Sequence, residues 1–182
     1  MSHPGLHVIT GASGAGKSTL VAALSDRGYA TVPEAALAVL REQQARGRNL
    51  LPWIDRAAFT EEVLARNIGN HATAQSQTGP VFFDRGIPEC LAWLQLSGVG
   101  LKPHHVATLT TYRYAPTVFV AEPWPEIYVQ HGERQATFER AARSYEPTVA
   151  AYIDAGYTIC LLPKASVQER VAFVLDTLHT TA

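Results

Sequence analysis

The sequence is short of several things, and each shortage removes a class of function. It holds two cysteines, Cys90 and Cys160, far apart and without metal-ligand spacing. A disulfide framework or a cysteine-held metal is therefore not expected, and a reduced, cytoplasmic setting is. No apolar run approaches the ~18 residues of a membrane span. The opening Met-Ser-His-Pro-Gly lacks the basic-then-apolar order of a secretory leader. An excess of either charge is also missing: 15 Lys and Arg stand against 16 Asp and Glu, for a net charge of −1. So balanced a chain has no electrostatic footprint for coating nucleic acid or lying on a membrane, although a small basic pocket is compatible with it. Repeats, low-complexity tracts and linkers are lacking as well. What is there is 182 residues, 47% hydrophobic and 17% charged. That composition predicts one globular domain over 1–182 with a core of its own.

Apolar periodicity and turn residues divide the chain into alternating strands and helices. Residues 6–10 read as a buried strand running into a glycine-rich turn. A helix follows from Lys17 to about position 27, closed by Gly28. The second strand is expected over 29–33, a helix from Glu34 to about 46 and a loop over 47–52. Asp55 is placed to cap a long helix reaching the 70s, which Gly79-Pro80 breaks. Val81-Phe-Phe-Asp84 reads as the third strand, with helical segments at about 87–97 and 103–112. Thr117-Val-Phe-Val-Ala121 is the fourth strand. A long helical region is expected over about 134–155, kinked or split by Pro147. Tyr157-Thr-Ile-Cys-Leu-Leu162 is the fifth strand, and Ser166-Val-Gln-Glu169 has the form of a capping box opening the last helix. Five strands alternating with helices predict an α/β fold, a parallel sheet covered on both faces with right-handed crossovers.

One motif carries specific chemistry. Gly11-x-x-x-x-Gly16-Lys17-Ser18 matches the Walker A phosphate-binding pattern in full, with an apolar strand before it and a helix after it. The glycines let the backbone turn its N–H groups inward toward phosphate oxygens. The start of the helix adds its positive end. The nucleotide-binding set is accordingly Gly11, Ala12, Ser13, Gly14, Ala15, Gly16, Lys17, Ser18 and Thr19. Lys17 is expected to reach the β- and γ-phosphates of ATP, or of GTP, and the Ser18 hydroxyl to ligate Mg²⁺.

With Ile9-Thr-Gly-Ala-Ser-Gly-Ala-Gly-Lys-Ser-Thr19, Val32-Pro-Glu-Ala35, Phe82-Phe-Asp-Arg-Gly-Ile-Pro88, Pro123-Trp-Pro-Glu-Ile-Tyr128 and Ser166-Val-Gln-Glu-Arg-Val171 in order, the whole chain resembles the small P-loop kinase-like proteins catalogued as AAA-domain ATPases. That group includes nicotinamide riboside kinase domains. More distantly the chain is similar to deoxyribonucleoside and thymidylate kinases. The resemblance implies a five-stranded sheet in the order 2-3-1-4-5, with a lid-like segment at about 123–145. It places Asp84-Arg85 where these kinases carry an acid–arginine pair. Asp84 is then a Mg²⁺ and catalytic carboxylate, and Arg85 a substrate contact; the alternative is a capping aspartate beside a solvated arginine. Glu34 falls in the context of the catalytic glutamate of deoxyribonucleoside kinases and is expected to serve as base and acceptor contact, or else as a helix-start glutamate. Arg134 is implied as the catalytic lid arginine, with Arg140 and Arg143 beside it; exposed helical arginines, one paired with Glu139, are the other reading. Pro163-Lys164 falls where related kinases pass a loop over the adenine. His104-His105 reads as a solvated helix start. Trp53, Trp93 and Trp124 read as packing residues, with Trp124 the one placed to stack on a base.

These readings combine into a kinase that transfers the γ-phosphoryl of Mg·ATP to a hydroxyl of a small, nucleoside- or riboside-like acceptor. Two rivals stand beside it. One is an ATPase or GTPase switch acting on a protein partner. The other is a polynucleotide 5′-hydroxyl kinase, against which the near-neutral charge argues, since a strand groove should be basic. No membrane or nucleic-acid partner is expected, and a protein partner or homo-oligomer stays open.

Overall fold

The computed structural model describes residues 5–128 and 137–181. Its elements in chain order are β1 (Leu6–Gly11), α1 (Lys17–Asp26), β2 (Ala30–Val32), α2 (Ala35–Ala45), α3 (Arg56–Ala74), β3 (Val81–Asp84), α4 (Ile87–Leu96), α5 (Pro103–Thr111), β4 (Thr117–Ala121), α6 (Phe138–Arg143), α7 (Tyr145–Asp154), β5 (Thr158–Leu161) and α8 (Val167–Thr181). A single 3₁₀ turn, Pro125–Ile127, follows β4.

The strands form one parallel sheet in the order β2-β3-β1-β4-β5. In register, Ile9 of β1 lies opposite Asp84 of β3 on one side and Phe119 of β4 on the other. Period-two alternation divides the strand side chains between two layers. Leu6, Val8, Val81, Phe83, Val118 and Val120 face a core completed by α2, α3, α4 and α7, among them Val39, Val63, Leu91 and Tyr152. Ile9, Phe82, Phe119 and Ala121 face the opposite way, onto Leu20 and Leu24 of α1 and Val171 and Val174 of α8. A near-continuous apolar strand such as Val-Phe-Phe, fully buried along its length, is what a sheet covered on both faces requires.

Local signals set several element ends. The Asp55 carboxylate accepts the Ala58 N–H at 2.9 Å and so caps α3. At α8 the capping box is complete: the Ser166 N–H donates to Glu169 Oε2 at 2.9 Å, and the Glu169 N–H donates to Ser166 Oγ at 3.3 Å. The helical region expected over about 134–155, kinked or split by Pro147, is two helices within the described residues, α6 and α7, divided at Ser144. Pro147 stands in the first turn of α7, where its missing N–H costs nothing; inside a continuous helix it would remove a bond and clash with the preceding turn. Glu34 precedes α2 as its N-cap residue, with φ −56° and ψ 115°, and makes no capping bond.

His105 corrects the reading of a solvated helix start. It is fully buried. Its Nδ1 accepts the Lys102 N–H at 3.1 Å, which leaves the proton on Nε2 to donate to Glu61 of α3 at 2.9 Å. Glu61, His104 and His105 thereby come together, but the backbone bond to Nδ1 ties the proton to the nitrogen that a metal would need. Trp53 also departs from expectation: it is 65% exposed rather than packed. Among the described residues no helix is long and apolar enough to cross a membrane.

Candidate phosphoryl-transfer site

The carboxyl ends of β1, β3 and β4 converge on the loop between β1 and α1. The Ala12 N–H donates to the Ala121 carbonyl at 2.9 Å, so the loop is pinned to the end of β4. Gly11 has φ +118°, and a Cβ there would collide with the Ala121 backbone. Only glycine suits both the conformation and the approach. Lys17 opens α1, is 5% exposed, and donates from Nζ to the Ala12 carbonyl at 2.6 Å, inside the loop. Ser18 and Thr19 follow on the exposed surface of the helix start.

Ser18 Oγ donates to Asp84 Oδ2 at 2.7 Å. The other carboxylate oxygen, Oδ1, is buried and has no hydrogen-bond partner. Asp84 does not cap a helix, because the residue preceding α4 is Gly86. A hydroxyl and a carboxylate in contact, with a buried oxygen left over, form the hard-oxygen donor set that suits Mg²⁺. These two residues fit the ion that Walker A sites commonly take.

Beside this pair lies a compact charge network. Arg85 is 8% exposed, which rules out the solvated-arginine reading. It adopts φ +73°, the single non-glycine residue with positive φ among those described. Such a conformation costs on the order of 1–3 kcal/mol and persists only where the surroundings enforce it. They do: the Arg85 N–H donates to the Ile9 carbonyl at 2.9 Å, the guanidinium donates from Nη1 to Glu89 Oε2 at 2.6 Å, and Nε lies 3.3 Å from Glu34 Oε1. Glu89, fully buried, is the hub. Its Oε1 accepts from Thr10 Oγ1 at 2.9 Å, Tyr152 Oη at 3.0 Å and the Gly86 N–H at 3.2 Å.

Burial lowers the Lys17 pKa to about 8, with the Arg85 charge acting the same way, while Asp84, Glu34 and Glu89 oppose the shift. Burial raises the Glu34 pKa against the pull of Arg85, and Asp84 raises it further. Burial would lower the Arg85 pKa, but Glu89, Glu34 and Asp84 together raise it. Three carboxyl groups, of Glu34, Asp84 and Glu89, thus stand around the two basic groups of Lys17 and Arg85. Next to this cluster Glu34, Val63, Asn67, Arg85, Cys90 and Trp93, among others, line a tight crevice too narrow in this conformation to admit a water. The Arg85 guanidinium lies 5.6 Å from the Trp93 ring centre, and Asn67 Nδ2 donates to Cys90 Sγ at 3.4 Å.

The structure therefore brings Lys17, Ser18, Glu34, Asp84 and Arg85 to one place. Arg134 lies outside the described residues, as does the side chain of Arg140. Glu89, Asn67 and Arg170 are the residues that motif reading missed. Glu89 had a signal, its i, i+4 spacing from Arg85; Arg170 stood inside the marker Ser166–Val171 without a role assigned to it, and Asn67 had no signal, because a helix distant in sequence delivers it. Arg170 of α8 sits behind the phosphate loop, donating from Nη1 to the Gly16 carbonyl at 3.4 Å.

Comparison with known proteins agrees with this geometry. No curated protein sequence matches the chain. Among solved structures, thymidylate kinase from Candida albicans superposes with a TM-score of 0.67 at 14% identity, over 100% of this chain and 94% of that one. The NadR protein in complex with NR gives 0.66 at 17% identity, over 98% of this chain and 51% of that one. Deoxyadenosine kinase from M. mycoides, with products dCMP and dCDP bound, gives 0.59 at 15% identity, over 97% and 100%. Identities this low show a shared fold, that of the P-loop kinases. The sequence pattern of the AAA domain matches residues 6–170, and the chain belongs to that family of P-loop, nucleotide-binding proteins.

Proposed function

We propose that the chain is a kinase that transfers the γ-phosphoryl of ATP, with Mg²⁺, to a hydroxyl of a small nucleoside- or riboside-like acceptor. The observation that carries this reading is the adjoining pair of subsites: a phosphate loop whose Ser18 meets Asp84, and beside it a separate crevice bearing Glu34, Arg85 and Trp93. A phosphate loop alone serves hydrolysis as well as transfer; the polar and aromatic groups lining the crevice are what favour transfer in this reading. The neighbours support a nucleoside- or riboside-like acceptor, since the solved proteins of this fold include a deoxyadenosine kinase and NadR with NR bound.

Ser18 and Asp84 would hold Mg²⁺, which when bound offsets phosphate charge. Lys17 leaves the Ala12 carbonyl for the β- and γ-phosphate oxygens, an exchange of one acceptor for stronger ones. Arg85, fixed by Glu89, orients the acceptor and keeps Glu34 in place. Glu34 takes the proton of the acceptor hydroxyl as its oxygen attacks the γ-phosphorus in line with the departing ADP. Burial makes it a stronger base than an exposed glutamate. Arg134, in the lid-like segment at about 123–145 of the same domain that the resemblance implies, would offset charge that develops in transfer. The loop at Pro163-Lys164 passes beside the adenine.

A screen with γ-labelled ATP against nucleosides, ribosides, amino sugars and 5′-hydroxyl oligonucleotides tests the reading. The parent is expected to label at least one small molecule. Glu34→Gln, which keeps shape and removes the base, is expected to lose that labelling by about a hundredfold or more while retaining ATP affinity. Labelling that survives the substitution would remove Glu34 as the base and leave Asp84 as the candidate.

A further inference from the structure

Arg170 is a buried cation that none of the roles above uses. It is 3% exposed. The neighbouring carboxylates that offset the other buried arginine of the site, Arg85, have no counterpart here: no ion pair and no acid is found against Arg170 among the described residues. Among the described residues its contacts are to groups that cannot neutralise it. Nη1 donates to the Gly16 carbonyl at 3.4 Å, which Leu20 N–H already uses at 3.1 Å, and the guanidinium carbon lies 5.9 Å from the Trp124 ring centre. Nε is buried with no hydrogen-bond partner. Burial alone lowers its pKa.

A desolvated guanidinium without a counter-ion is costly, and replacing such a charge by an apolar group is often neutral or stabilising. An arginine kept there for stability alone would be a poor choice. An anion that arrives beside it changes the balance, because the same low-dielectric surroundings strengthen the attraction. The position names the anion. A Cβ on Gly16 would come within 2.6 Å of Arg170 Nη1, so the guanidinium lies directly against the last glycine of the phosphate loop. Gly16 has φ +74° and carries the N-terminus of α1. Lys17 occupies the inside of the loop at Ala12; Arg170 reaches the same loop from the α8 side, toward Trp124.

We propose that Arg170 is a second fixed cation of the nucleotide site, which contacts the phosphates of the bound nucleotide from the α8 and Trp124 side of Gly16. It is a binding residue for the phosphates that ATP and ADP share, rather than one for the γ-phosphoryl alone. The inference rests on the phosphate-loop reading but not on the identity of an acceptor or on phosphoryl transfer.

Two measurements on Arg170→Met and Arg170→Lys test it: the melting temperature of the nucleotide-free protein, and the Kd of ATP and ADP with Mg²⁺ by calorimetry. For Arg170→Met the expected result is an unchanged or higher melting temperature together with about tenfold weaker binding of both nucleotides, the scale of one charge-assisted contact. Arg170→Lys is expected to restore most of that loss. Unchanged affinity for both nucleotides in Arg170→Met overturns the proposal and makes Arg170 a prop for Gly16 and Trp124. So does a weakening of ATP with no effect on ADP. Parent protein that binds neither nucleotide would overturn the phosphate-loop reading and this inference together, whereas parent binding with no effect of Arg170→Met overturns this inference alone.

Discussion

At the scale of single residues, the account turns on charges that are buried with their partners. Lys17 is the clearest case. Its pKa of about 8 in the free protein reflects burial first, and phosphate oxygens beside it would push that value back up. Nucleotide binding near pH 8.5 should therefore take up about three quarters of a proton, and binding near pH 6.5 close to none from this group. Calorimetry in two buffers of different ionisation enthalpy reads this directly. Lys17→Arg should abolish the uptake, and uptake that persists in that variant would assign it elsewhere. The sign for stability is opposite in sense: the unfolded lysine, with a pKa of 10.5, binds the proton more tightly than the folded one. The shift therefore costs stability below about pH 8, and that cost is relieved as the pH rises toward 10.5. Glu89 is the second case. Glu89→Ala strips Arg85 of its closest partner and leaves Thr10, Tyr152 and the Gly86 N–H without an acceptor. A loss of about 3–5 kcal/mol in denaturant unfolding is expected, the cost of breaking a buried pair by removing one member. A loss below about 1 kcal/mol, the level of an exposed pair, would show that the network is solvated.

At the scale of elements, what could be read in advance was what local chemistry decides. Capping by Asp55 and by Ser166-Glu169 and the strand Val-Phe-Phe-Asp are legible because their causes lie within a few residues of each other; α3 itself ends at Ala74, ahead of the break expected at Gly79-Pro80. The division at Ser144 was foreshadowed by Pro147. His105 could not be read this way. Its burial is settled by α3, 44 residues away in sequence, which brings Glu61 to its Nε2. Asn67 escaped for the same reason, and so did the role of Arg170; each residue is carried to the site by a helix whose own sequence gives no reason for it. Asp84 and Arg85 were legible as candidates because β3 ends there, but the choice between cap and ligand needed the Ser18 contact. The cap of α8 matters to function because that helix carries Arg170 one turn after it. Ser166→Ala should cost about 1 kcal/mol, a value typical of lost N-caps. A thermal melt checks this, and no change would mean that solvent satisfies the first turn of α8 equally well.

At the scale of the whole molecule, parallel order β2-β3-β1-β4-β5 does two things at once. It sets the phosphate loop between β3 and β4, and it puts β2 at the edge, so that Glu34 reaches the arginine at the end of β3 from the side away from β4. Under the proposed function, nucleotide and acceptor would take neighbouring but distinct parts of one sheet edge, the general place for ligands in such folds. The fold by itself does not decide between a kinase and a nucleotide-hydrolysing switch; the crevice beside the Ser18–Asp84 pair is what favours transfer. The most direct test is the coupling of ATP consumption to an acceptor. With Mg²⁺ and an acceptor found by labelling, ADP should form in step with phosphorylated acceptor, one for one, and should fall to a slow background when the acceptor is left out. Rapid release of inorganic phosphate that ignores the acceptor, or that rises only when a protein partner is added, would contradict the account.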